Sequence, residues 1–168
     1  KANITTLGTV DLEANLITAI ATSNITAGSD VRFASATNIV LGGLIQTPTN
    51  ISLTATAGSI TNVAVDGHVT LQSSGLRLWA GVGIGTTTNH IATTVATLSS
   101  RSTSGGLYLD ESDSLTVANT SATISKVQSD ATVTTVTDVA QSDLRTTAGN
   151  GSIILKTGGD LTLNDGTA

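Results

Sequence analysis

Cysteine and methionine are absent from the 168 residues, and Trp, Tyr, Phe and Pro occur once each. Lack of cysteine removes any disulfide framework or thiolate zinc site, neither of which a fold held by repetition requires. Aromatics at 2% exclude a compact core built on large rings, each of which would supply a large buried area. Charge is scarce too: 11% of residues, a net −5 and a pI near 4.6. Nucleic-acid binding needs a basic stripe to neutralise phosphates, and this balance supplies none. No apolar run approaches the roughly 20 residues of a bilayer-spanning helix, so no membrane insertion is expected. Disorder is excluded by the opposite test, since mean hydropathy is +0.24.

What the chain has is Val, Ile, Leu and Ala interleaved with Thr, Ser, Gly and Asn. β-Branched side chains are stiff at χ1 and favour a pleated surface over a helix. Their order repeats. Asn3-Ile4-Thr5 with Val10 and Leu12 returns 21 positions later as Asn24-Ile25-Thr26 with Val31 and Phe33, and a looser copy starts at Asn50. Farther on, Leu107, Leu109, Leu115 and Val117 match Ile153, Leu155, Leu161 and Leu163, all 46 apart, read as two coils of about 23. Short alternating dyads such as Leu76-Arg77-Leu78 have period two with one face buried.

Strands of three to five residues between Gly, Asn, Asp and Ser turns suit a coil that turns a corner every few residues. The expectation is an all-β, right-handed parallel β-helix (a β-solenoid) with rungs of roughly 20 residues. Dividing 168 by about 20 gives roughly eight rungs. The whole of 1–168 reads as a single solenoid segment. Lys1 opens directly into the pattern and Ala168 ends within it, as expected of a piece of a longer repeat protein. Residues 119–147 are less regular; their abundant Thr and Val oppose helix, and they are expected as strands with irregular turns.

A resemblance enters with the run Leu76 to Thr86 (Leu-Arg-Leu-Trp-Ala-Gly-Val-Gly-Ile-Gly-Thr), Gly105-Gly106-Leu107-Tyr108-Leu109, Gly151-Ser152-Ile153-Ile154-Leu155 and Gly158-Gly159-Asp160-Leu161-Thr162-Leu163. This Gly-hydrophobic-x-Leu texture, over most of the chain, resembles the repeat region of filamentous-haemagglutinin-type exoproteins and related large bacterial adhesins. The resemblance implies a structural and adhesive rod, secreted or held at the bacterial outer surface. Its partner would be a glycan or protein of a host or neighbouring cell, engaged through the parent adhesin. Open end rungs would also allow end-to-end association.

No residue set suggests catalysis or a cofactor: a polysaccharide-active β-solenoid would place several carboxylates with Lys or Arg on one outer face, and the scattered acids here do not recur at rung spacing. His68 and His90 lie 22 apart, close to one rung, but lack a third metal ligand. Asp110, Glu111 and Asp113 form the densest acidic cluster, a weak calcium candidate read chiefly as a solvated turn between the Leu107 and Leu115 strands. Arg77, Trp79 and Tyr108 are the candidate ligand-binding residues. Alternation turns Arg77 and Tyr108 outward, and exposed aromatics stack on sugars or anchor proteins. Sequons at Asn3, Asn24, Asn50, Asn119 and Asn150 read mainly as left-handed turn positions. Thr-x-Thr triplets at Thr54, Thr132 and Thr135 raise an ice-binding solenoid, but they do not recur at one rung position.

Overall fold

The computed structural model describes residues 2–64 and 68–166. Every regular element in them is a strand, and the chain is a β-solenoid. Parallel pairing joins each coil to the next, and three columns of inward side chains run along the axis.

The first column stacks Ile4, Ile25, Ile45, Leu71, Thr93, Glu111 and Thr157. The second stacks Val10, Val31, Ile51, Leu76, Leu98, Val117 and Leu163. The third runs Ile17, Ile39, Ile60, Ile84, Leu107 and Ile153. The 21-residue repeat therefore fixes register directly: Asn3 lies beside Asn24 and Leu12 beside Phe33.

Burial explains why these types recur. Val31, Phe33, Ile39, Ile51, Leu76, Leu98 and Leu107 are fully inaccessible, and each such side chain contributes about 1.5–3 kcal/mol of transfer free energy. Backbone polar groups are satisfied between coils. Along the third column Ile39 N donates to Ser59 O at 3.0 Å, Ile60 N to Gly83 O at 3.0 Å and Ile84 N to Gly106 O at 2.9 Å. Where corners stack, little room is left. A Cβ on Gly81 would collide with the Thr56 carbonyl of the coil before it.

The columns hold six or seven positions, below the roughly eight obtained from length. The reason lies in the 46-residue spacing. Leu107 and Leu115 pair directly with Ile153 and Leu161, so these are adjacent coils and not two coils apart. On the preceding coil, Leu98 faces Val117 while Ser100 faces Leu144. One strand has thus been opened between Val117 and Leu144, and the chain leaves and returns at the same place. The step across it is 27 residues (144 − 117) where 2 would serve, an insertion of 25. Subtracting 25 from 46 restores a coil of 21.

The insertion is an antiparallel hairpin, Thr123–Val127 with Val133–Thr137. The less regular stretch is therefore strand, as its Thr and Val required, but it pairs with itself. Thr120 and Gln141 exchange backbone hydrogen bonds of 2.8 and 3.0 Å at its base. From there it lies against the outside of the sheet carrying the second column. Ala122 and Ile124 are buried against that face, and Thr123 N donates to Asp30 Oδ2 at 2.7 Å. Arg32 fastens it: its guanidinium meets Asp138 of the hairpin at 3.0 Å and Asp11 and Glu13 of the first coil at 2.8 and 2.7 Å. Lys126 reaches Glu13 at 2.6 Å. Burial works against the Arg32 cation, but the Glu13, Asp138 and Asp11 carboxylates outweigh it and hold its pKa above the ordinary value.

Candidate ligand-binding cleft

The outward side chains of the second sheet form their own columns. One contains Asp11, Arg32, Ser52, Arg77 and Ser99; its neighbour contains Glu13, Ala34, Thr54, Trp79, Arg101 and Arg145. The inserted hairpin covers the first and leaves part of the second open.

Arg77 points outward, as alternation requires, yet it is only 7% exposed because the insertion lies over it. Nε donates to Val139 O at 3.0 Å, and Nη1 donates to Ser52 Oγ at 3.2 Å and Thr54 Oγ1 at 3.0 Å. Burial depresses its pKa, and nearby Arg32 adds to the effect against Asp138. Arg77 is thus outward as alternation placed it, and it is buried there as a support under the hairpin.

Trp79 is half-buried beside it, with Nε1 sealed from solvent and lacking a protein acceptor. Between the sheet face and residues 139–143 of the returning chain lies a cleft of about 350 Å³, lined by Trp79, Arg77, Arg101, Gln141, Asp143 and Arg145 among others. Gln141 Nε2 donates to Leu78 O at 2.9 Å, which fixes the wall to the strand below. Asp143 stands at the point of return with φ +70°, a left-handed geometry tolerated by Asp, and its carbonyl accepts from Ser100 N at 2.9 Å.

Tyr108 belongs elsewhere. It lies on the Leu107–Glu111 strand, paired with Ile154, and its ring lies 5.9 Å from that of His90. Arg77 and Trp79 therefore share one site, and Tyr108 does not. Sequence reasoning missed Arg101 and Arg145. The Trp79-to-Arg101 step of 22 was a usable signal; the 44-residue step onward to Arg145 was hidden by the insertion.

The acidic cluster also divides. Asp110 faces out and meets Lys156 Nζ at 3.2 and 3.1 Å, while Asp113 sits on the exposed turn. Glu111 ends its strand facing inward, 1% exposed, as a member of the first column. It accepts from Thr93 Oγ1 at 2.6 Å, Val95 N at 3.1 Å and Ser112 N at 2.9 Å. Burial raises its pKa, and the Asp113 carboxyl adds to this against the Thr93 and Val95 donors. The solvated-turn reading is thus corrected for Glu111, and the three acids do not converge as calcium ligands. No group of three metal-ligating side chains occurs among the described residues.

Of the sequon asparagines, only Asn150 adopts a left-handed backbone, at φ +52°. Asn3, Asn24 and Asn50 instead begin strands, and Asn3 Oδ1 accepts from Asn24 N on the next coil at 3.1 Å. The Thr-x-Thr triplets are divided between a rung and the hairpin, and so form no single Thr face. No protein-family model, curated protein or solved structure matches the chain.

Proposed function

We propose that this chain is a shaft segment of a large bacterial adhesin, secreted or anchored at the outer surface, whose work is mechanical and not catalytic. The observation that carries this reading is the stack itself. Inward side chains run from coil to coil in parallel register, and Val31, Ile51, Leu76 and Leu98 in one such column are fully inaccessible. A core buried by laying like coil on like coil is how a long rod is built. Parallel pairing from coil to coil also runs along the axis, so a pull on the ends is shared by many backbone hydrogen bonds. The Gly-hydrophobic-x-Leu texture supports the filamentous-haemagglutinin-type class, in which the shaft holds adhesive parts away from the cell.

The test is location and accessibility. Antibodies raised against the chain are expected to label intact cells of the source organism, and external protease is expected to remove the label. Labelling only after the cells are broken would overturn the reading.

A further inference from the structure

Positive charge in this chain is rare and unevenly spent. Of its four arginines, Arg32 is engaged by three carboxylates, and the other three line the cleft beside Trp79. Arg77 is committed to Val139, Ser52 and Thr54. Arg101 and Arg145 are exposed and make no ion pair or side-chain hydrogen bond among the described residues. Of the neighbouring acids, Asp138 is paired with Arg32 at 3.0 Å, and Asp143, which accepts from Ser142 Oγ at 3.0 Å, is the one carboxylate in the lining against three guanidinium groups. The molecule's net charge of −5 disfavours anions elsewhere on its surface, so this concave positive spot is where one would be drawn.

The spacing narrows the class of anion. Trp79, Arg101 and Arg145 are consecutive in one outward column, so they are stepped by about 4.8 Å per coil. A pyranose ring spans roughly one such step. With its apolar face on the indole, its carboxylate falls beneath the planar fork of Arg101, and a second substituent falls within reach of Arg145. Bidentate pairing of guanidinium with carboxylate gives both energy and orientation. The cleft volume of about 350 Å³ falls in the lower range of small-ligand sites. The Gln141 amide nitrogen is committed to Leu78 O and Ser99 Oγ, which leaves its carbonyl oxygen to accept from a hydroxyl.

We propose that the cleft between Trp79 and the returning arm of the insertion binds a carboxylate-bearing saccharide, a sugar acid of the uronic or sialic type. The inference stands apart from the shaft reading, since it rests on this column and its cover alone.

Trp79 is the only tryptophan, so its emission reports this cleft and no other place. The full chain is titrated at constant ionic strength with digalacturonic acid, N-acetylneuraminic acid, neutral galactobiose, sodium acetate and sodium sulfate, with calorimetry in parallel. A saturable response to at least one sugar acid and none to galactobiose is expected; the responding sugar identifies the source. Arg101→Gln and Arg145→Gln lie at exposed positions, and each should weaken binding about tenfold or more without moving the melting temperature. Arg101→Lys, which keeps charge but loses the fork, should fall between. Absence of both emission change and heat with the sugar acids overturns the proposal. So do arginine variants that bind like wild type. Acetate or sulfate matching the sugar acids mole for mole would mark an adventitious ion only, and overturns it too.

Discussion

Residues 71–117 and residues 118–143 follow one another in the chain and bury a β surface by opposite means. In the coils, strands pair in parallel on both sides, and the gain comes from columns of Leu, Ile and Val at 0–4% exposure. The hairpin pairs antiparallel with its own sequence neighbour, and Val127 and Val133 stand 67% and 64% exposed. Ala122 and Ile124 are its buried apolar anchors, and polar links at Asp30, Arg32 and Glu13 do the rest. The difference teaches that the stack is held by repetition and the insertion by a few named contacts. Damage to one is therefore expected to travel, and damage to the other to stay local.

The harshest way to break the comparison is a charge inside a column. Leu109→Asp buries an unpaired carboxylate at a fully inaccessible site and should cost more than about 4 kcal/mol, abolishing cooperative melting. Leu155→Asp, on the open last coil, should cost visibly less. Equal losses would contradict the stacked-column account.

Next comes removal of the insertion. Deleting residues 119–143 lets Ala118 join Val117 to Leu144 and restores a 21-residue coil. The deletion variant should keep its β circular dichroism and a cooperative, somewhat lower melt. Its Trp79 emission should shift to the red as the cover is lost. A chain that no longer folds would show that the hairpin belongs to the core.

Smaller still is Arg32→Ala, which leaves Asp11, Glu13 and Asp138 facing one another; about 1–2 kcal/mol is expected, since Glu13 is 43% exposed and solvent weakens the pairing. Amide exchange should rise in 123–137 and remain unchanged in the coils.

The mildest test concerns Glu111. Its raised pKa means that the folded chain keeps this proton to higher pH than the unfolded chain does. That contribution to stability is complete below the ordinary glutamate range and is lost as pH rises through the raised folded value. Glu111→Gln keeps the acceptor for Val95 and Ser112 but carries no charge. Its advantage in melting temperature should therefore grow from about pH 4.5 upward. A constant difference across that range would remove the assignment.

Much of this was legible in the residues. The columns at Val10, Val31 and Ile51 could be read because each coil repeats the previous one's spacing. Leu107 and Ile153 were rightly matched, but 21 plus an insertion of 25 imitates two coils of 23, and nothing local distinguishes the sums. Alternation placed Arg77 outward, yet burial came from Val139, 62 positions away, which periodicity cannot report. Glu111 was readable and misread: Leu107, Leu109 and Glu111 share one face by period two, but an acid among Asp110 and Asp113 looked like a turn. Arg145 could be found only by removing the insertion first.

The opened strand carries a wider consequence. Departure at Val117 and re-entry at Leu144 occupy adjacent places in one coil, and the Thr120–Gln141 exchange closes the neck between them. Such a neck lets a segment leave a strand and rejoin it in register, so the columns on either side keep their spacing while the flank carries the added chain.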